Sequence, residues 1–559
     1  MSFVCRERAF STSVSPVPWP ARLAAVLGYA LAVALMAAAP LHAQESMLGG
    51  YPEWKFSPVV PQYAARSVVH YGLADESSAE GGTAPAPGSG EESPLDRAVR
   101  ELGQPPASPL DRAVGEAGQP QESALDRAVR ELESAPSTGA APAGAPSAVL
   151  APAPTPAAAP TGGGQLRLAD VSLDGLVAAG SSTERDIVLD QLEGGGHDPR
   201  KRGFTVQNVE LSMIGACDPY FDAEMHLNTF LTPLEGMTVV ELEEAFMTSR
   251  SLPLGLQLKM GHFLTEFGRI NPTHPHAWTW QDAPIISTRL FGPDGMRAPG
   301  ARLSCLVPVD WFSEVFVGIQ NANGETMASF LANEEFFSER PIGGRPFWDR
   351  PVRSCLDMVY TYRWENSWTI CDDQITWLLG ASVLQGPNAT GPKGNTQIFG
   401  LDMTRKWKPS ENRRGWPFTI WTGEIMMRRY RADRFFDPRD ALDPADDIRI
   451  GASTLEDWGF YAQYLWGFKE RWAAGLRYEY VWSRGDSLDE DFAQLSRNDD
   501  PFRDERHRLS PLLAFYPSEF CRFRFQYNYD HAQHLPGKDA HSVWLGAEFV
   551  LGSHPAHKF

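Results

Sequence analysis

The segment His541–Leu551 reads His-Ser-Val-Trp-Leu-Gly-Ala-Glu-Phe-Val-Leu, and its residue types alternate. Val543, Leu545, Ala547, Phe549 and Leu551 fall on one side of an extended chain. Ser542, Trp544, Gly546 and Glu548 fall on the other. Successive side chains of a β-strand point to opposite faces, so this spacing predicts a strand with one apolar face. The pattern recurs along the chain. Phe221, Ala223, Met225 and Leu227 alternate with Asp222, Glu224, His226 and Asn228. Leu476, Tyr478, Tyr480 and Trp482 alternate with Arg477, Glu479, Val481 and Ser483. Phe523, Phe525, Tyr527 and Tyr529 alternate with Arg524, Gln526, Asn528 and Asp530. Each apolar face needs cover. A soluble sandwich would have to gather all these aromatic faces into one core, and so many long one-faced strands fit that poorly. A closed sheet in lipid covers every such face and satisfies every backbone polar group.

Composition agrees with that reading. The mean hydropathy is −0.30. Outside the N-terminus, the chain lacks the runs of about 20 apolar residues that a helical membrane protein needs. A transmembrane β-barrel escapes hydropathy because lipid-facing and lumen-facing residues alternate. The 17 Trp, 15 Tyr and 30 Phe suit interfacial girdles. A net charge of −20 argues against nucleic-acid binding, which wants basic patches. From Gln165 to Phe559 the alternating segments number about sixteen. Short connections such as Cys217-Asp-Pro, Ser251-Leu-Pro and Pro308-Val-Asp fall at one parity, and most long loops fall at the other. The eighth strand is expected from Val352 and the ninth from Trp368, with Glu365-Asn-Ser as their turn. The expected fold is all-β: an antiparallel transmembrane barrel of about 16 strands with both ends in the periplasm.

Residues 1–43 carry Arg6, Arg8 and Arg22, then an apolar stretch from Leu23 to Ala39. This reads as a secretory signal peptide cut before Gln44. Residues 44–164 are rich in Gly, Pro, Ala, Ser and Glu, the composition of a disordered low-complexity segment, here on the periplasmic side. Within it a 15-residue unit repeats three times over 93–137, starting at Ser93, Ser108 and Ser123. Leu95, Ala98, Val99 and Leu102 make a short helical stripe, too short to be stable alone. It reads either as a docking element that folds on contact or as a duplicated linker. A Pro/Ala spacer follows.

Charge placement bears on function. Glu210, Asp222, Glu224, Glu241 and Glu243 lie on the inward phase of the second to fourth strands. Arg428, Arg477, Arg522 and Arg524 lie on the inward phase of the eleventh, thirteenth and fifteenth. Opposed arcs of sign would set a transverse field across a lumen and orient polar solutes. Glu244 breaks the alternation of the fourth strand, so a bulge is expected there. The long loop after the fifth strand, Leu264 to Pro299, is rich in Trp and Pro and is expected to fold inward. Its Glu266, Arg269 and Asp282 would then line a constriction against Arg428, Arg522 and Arg524. His274 and His276 in this loop are candidate metal ligands that need a third partner, for which Glu266 and Asp282 are at hand. Acidic late loops, such as Asp437 to Asp447, could bridge to lipopolysaccharide through divalent cations. No GxSxG, HExxH, P-loop or dinucleotide fingerprint is present, so no enzyme activity and no cofactor is expected beyond the zinc those histidines could take.

Gly546-x-x-Phe549-x-Leu551 resembles the sorting signal in the last strand of bacterial outer-membrane barrels. That implies delivery to the barrel assembly machinery and a location in the outer membrane. Glu241–Met247, Gly261–Trp278 and Leu551–Phe559 resemble a Gram-negative family described either as akin to phosphate-selective porins or as zinc-regulated TonB-dependent receptors. The resemblance covers roughly 165–559. It implies an outer-membrane barrel with an envelope transport role. Lipid and lipopolysaccharide are its expected surroundings, and a homotrimer is one assembly open to it. A TonB-dependent transporter fills a 22-stranded barrel with a plug. The residues before Gln165 lack a plug-like core, so the strand count favours a porin passing small hydrophilic solutes or ions. The other readings are a zinc-linked receptor and a barrel that anchors the N-terminal segment.

Overall fold

The computed structural model describes residues 169–438 and 447–552. The expected signal peptide, the segment 44–164 with its repeats, Asp440, Asp443 and Asp446, and the tail histidines His554 and His557 lie outside the described residues. Sixteen strands form one closed antiparallel barrel in sequence order. They are β1 Asp170–Ser182, β2 Gly203–Ala216, β3 Phe221–Leu231, β4 Thr238–Ser249, β5 Leu256–Leu264, β6 Arg297–Leu306, β7 Phe312–Asn321 and β8 Met358–Ile370. The second half comprises β9 Ile375–Pro387, β10 Asn395–Trp407, β11 Phe418–Ala432, β12 Ser453–Lys469, β13 Trp472–Arg484, β14 Arg506–Ser518, β15 Cys521–Ala532 and β16 Asp539–Gly552. β16 closes on β1, with Leu551 opposite Leu173 and Trp544 opposite Gly180. Closure leaves no unpaired edge.

The alternation follows the expected phase. Along β13, Leu476 and Tyr478 are exposed on the outer wall, while Arg477 and Glu479 are buried inside. Along β15, Phe523 and Phe525 face out, and Arg524, Gln526 and Asn528 face in. The outer wall therefore presents apolar side chains to lipid and the lumen is lined by polar ones. Connections at one end are short, as at 470–471 and 519–520; at the other end they reach 265–296 and 322–357. Short turns mark the periplasmic end.

The eighth and ninth strands differ from expectation. Glu365-Asn-Ser lies inside β8, and the turn is Cys371–Gln374, where Cys371, Asp372 and Asp373 take φ of 57°, 51° and 62°. The polar run resembles a turn, but Glu365 points inward and pairs with Arg363 at 2.7 Å. Asn366 points outward and accepts the Trp311 indole N–H at 3.0 Å. β8 begins at Met358 rather than Val352 because Ser354–Asp357 forms a capped turn first. The bulge expected in β4 is present: the register slips between His226/Glu244 and Leu227/Leu242, leaving Glu243 as the extra residue.

The lumen is not an open cylinder. Its long-loop half holds an apolar cluster in which Phe267, Ile286, Leu290 and Phe291 pack against wall residues such as Ile398, Met426 and Val481. Three of these loop residues, Ile286, Leu290 and Phe291, belong to the helix α1 Ile285–Phe291. Leu401, 61% exposed near the middle of β10, tests the lipid face. Leu401→Arg is expected to cost roughly 2–4 kcal/mol of barrel stability. Thr376→Arg, inside the lumen beside open space, is expected to cost far less. Urea titrations of refolding into lipid vesicles compare the two, and equal costs would reverse the inside–outside assignment.

Candidate functional site

The loop 265–296 leaves β5 at Leu264 and turns into the lumen. Gly268 takes a left-handed φ of 64°, which suits a residue without Cβ. The wall residue Glu424 accepts the next two backbone N–H groups, of Arg269 and Ile270, each at 2.9 Å, and the Tyr461 hydroxyl at 2.7 Å. Further along, wall glycines make room for loop side chains. A Cβ on Gly475 would lie 3.0 Å from the Trp280 ring, and one on Gly400 would lie 2.6 Å from Phe267. The Trp280 indole donates to the Ser510 carbonyl at 3.0 Å.

Charge then fastens the loop on both sides. Asp282 is buried and accepts from Arg477 and Arg508 at 2.7 Å each, from Gln526 at 2.6 Å and from Asn528 at 3.1 Å. Arg522 donates to the His276 carbonyl at 2.9 Å; Arg524 donates to the carbonyls of Trp278 and Trp280 at 3.2 and 3.0 Å. The basic arc thus holds the loop's backbone and its one deeply buried acid. Across the lumen the loop offers imidazoles to the acidic arc. His274 Nε2 lies 2.8 Å from Glu244, and His274 Nδ1 lies 3.1 Å from Glu243 and 3.2 Å from Glu210. His276 Nδ1 lies 2.9 Å from Glu210, as does Nδ1 of the wall residue His226. The β4 bulge matters here, because it turns both Glu243 and Glu244 toward His274.

The other expected site residues divide into two groups. Glu266 lies 3.1 Å from Arg302, and Arg269 lies 3.5 Å from Glu365, both at the edge of a cavity. Asp282 does not line a constriction, because its two guanidinium partners enclose it. Arg428 lies beneath α1, bound to Asp457 at 2.6 Å and to the Arg289 carbonyl at 3.1 Å. Arg522 is bound to Glu548, as is Arg524 at 3.4 Å. Glu241 pairs with Arg297 at 2.5 Å, Asp222 pairs with Arg250 at 2.8 Å near the short-turn rim, and Glu224 stands 3.8 Å from His226. The opposed arcs of charge exist, but the loop occupies the space between them. Neither Glu266 nor Asp282 joins the histidines; Glu210, Glu243 and Glu244 do.

Sequence reasoning passed over His226, Glu244, Arg508 and Glu424 as site residues. His226 could have been found by its inward phase and Glu244 by the bulge that turns it inward; the two face each other in the β3–β4 register. Nothing local marks Arg508 as a holder of this loop, since its partners Glu193 and Asp282 are hundreds of residues away.

The first long loop also enters the barrel. Its short helix, Asp186–Leu192, ends at Glu193, which Arg508 contacts at 2.7 Å. Burial pushes the Glu193 carboxyl up to about 8; Arg508 opposes that rise, and Asp282 and Asp530 add to it. Asp198 accepts N–H groups from Gly195 and from Ala283, which joins this loop to 265–296.

No protein-family profile matches the chain. An uncharacterised protein of Aquifex aeolicus (strain VF5) is 28% identical over 417 residues, covering 70% of this chain and 80% of that protein. Three solved structures are similar in outline. OprB of Pseudomonas putida has a TM-score of 0.43 and 10% identity over 69% of this chain and 94% of its own. The outer-membrane channel DcaP of Acinetobacter baumannii has a TM-score of 0.41 and 11% identity over 70% and 99%. An anion-selective porin from Comamonas acidovorans has a TM-score of 0.39 and 9% identity over 68% and 100%. On its own geometry, the chain is a porin-like β-barrel of the bacterial outer membrane: sixteen antiparallel strands, closed, apolar outside and polar within.

Two outcomes test how the loop is held. Asp282→Ala removes the carboxylate that two buried guanidinium groups share, a change worth about 3–5 kcal/mol. Limited proteolysis of the folded barrel should then cut within 265–296, where the parent protein resists. Glu193 tests the pH response. Its ordinary pKa is 4.5, and its folded value is about 8. Between these values the unfolded chain releases a proton that the folded chain keeps, so stability falls as pH rises and levels off above the upper value. Glu193→Gln should remove that fall, so its thermal stability should gain on the parent as pH rises from about 4.5 to about 8.

Proposed function

We propose that the protein is a narrow channel for small hydrophilic solutes or ions, with the loop 265–296 as its constricting element. The observation that carries this reading is a cavity of about 810 Å³ with charged side chains in its lining, between the loop and the inner wall of β4 to β9. Arg250 and Ser251 place its mouth at the short-turn end, and Glu266, Arg269, Arg302 and Glu365 give it both signs of charge. Charged rings of this kind select among permeating ions. The apolar cluster around Phe267 and Phe291 closes the other half, so the conformation described is the narrow one. Passage through the barrel follows from rearrangement of this loop. The residues that would tune selectivity are those facing the cavity, Arg269 above all, rather than Arg522 and Arg524, which hold the loop.

A second reading, a metal-linked receptor, is favoured by one observation, the gathering of three imidazoles around Glu210.

Planar-bilayer recording tests the channel. Replacing 270–280 by a short Gly/Ser link should raise single-channel conductance, and Arg269→Glu in the full-length loop should shift selectivity toward cations. A trimmed barrel that inserts but conducts no better than the parent would show that the loop does not limit passage.

A further inference from the structure

We infer that the acidic arc and the inward loop together form a divalent-cation site, centred on Glu210 and completed by His226, Glu243, His274 and His276. The first argument is geometric. Glu210, His226 and His274 place one ligand atom each within 4.8 Å of one another. Around Glu210 stand His226 Nδ1 at 2.9 Å, His274 Nδ1 at 3.2 Å and His276 Nδ1 at 2.9 Å, and Glu243 stands 3.1 Å from His274 Nδ1. Atoms bound to a single ion at about 2.0–2.1 Å stand about 3 Å apart from one another.

The second argument concerns protons. His274 Nε2 bonds Glu244 at 2.8 Å, and the other oxygen of Glu244 is fixed by the Leu264 N–H at 2.7 Å. A carboxylate so anchored takes the Nε2 proton, so Nδ1 is the nitrogen that faces Glu210 and Glu243, and it carries either a second proton or a metal ion there. A lone pair against two carboxylates is repulsive unless a positive charge lies between them. The two His274 Nδ1 contacts, to Glu210 and Glu243, are close, yet neither is aligned as a hydrogen bond. The Oε2 atoms of Glu210 and Glu243 are likewise buried without an aligned donor, and both residues are at most 2% exposed. Carboxylates buried so deeply are costly unless paired or coordinated.

Mixed imidazole and carboxylate donors suit zinc and its neighbours among the divalent transition metals. Glu210, His226 and Glu243 belong to the wall, and His274 and His276 belong to the loop. A bound cation therefore ties the loop to β2, β3 and β4, opposite the arginines that hold its other side. Glu244 acts as a positioning residue through His274.

The test uses the untagged, refolded full chain in a His554→Ala/His557→Ala background, so that the tail contributes no imidazole. Titration calorimetry with Zn²⁺ should show one tight equivalent, lost in His226→Gln/His274→Gln and weakened about 10–100-fold in Glu244→Gln, the range for an orienting partner. Absence of tight binding in the parent, or binding retained in the double variant, would overturn the assignment. If the double variant does not fold, Co²⁺ bound to the parent decides. Intense visible absorption marks a low-symmetry protein site and supports the assignment, whereas the weak spectrum of hydrated Co²⁺ overturns it. Binding is independent of conduction, so a barrel that binds Zn²⁺ and passes no current would refute the channel and leave the site standing.

Discussion

Charge inside a barrel wall has to be neutralised locally, because the lumen around a folded loop is a poor solvent for ions. Much of this structure answers that demand. Arg477 and Arg508 converge on Asp282, Arg506 and Arg508 on Asp530, and Arg428 and Arg503 on Asp457. Each acid is shared between two guanidinium groups, so no single pair stands alone. On the facing wall the same demand falls on histidines. The loop 265–296 is the element that brings both sets of partners together, and it does so with one buried acid, a set of backbone carbonyls and two imidazoles.

The barrel was legible because its two solvents differ. Lipid outside and polar groups inside write a two-residue period into every strand, and that period survives in sequence without any knowledge of neighbours. The misplaced turn at Glu365-Asn-Ser shows where the signal fails. A polar run marks a turn in water, but inside a lumen it marks the inner face, and here Arg363 makes Glu365 an interior residue. The bulge at Glu243 and Glu244 was visible as two consecutive acids where one was expected.

The site was legible only in part. The length and position of the loop pointed inward, and its histidines drew attention. Their partners could not be read, because contact depends on which wall the loop reaches. Glu266 and Asp282 are nearest to the histidines in sequence, yet Arg302 holds the first and the basic arc holds the second. Glu210 was noted as an inward acid on the second strand but not linked to the loop, since 64 residues and three strands separate it from His274. Register across β3 and β4 supplies the missing link by setting His226 opposite Glu244.

The placement of this loop bears on the seam where the ends of the sheet meet. β1 and β16 are joined by their ladder, with β2 beyond one and β15 beyond the other. The loop reaches β2 through His274 and His276, and it reaches β15 and β16 through Asp282 and Gln281, which approaches the Trp544 carbonyl at 3.3 Å. It therefore crosses the join from within, like a rivet set behind two plates. Prying β1 from β16 would have to break these inner ties as well as the ladder, and a chain that inserted with this loop outside would lose that reinforcement along the seam.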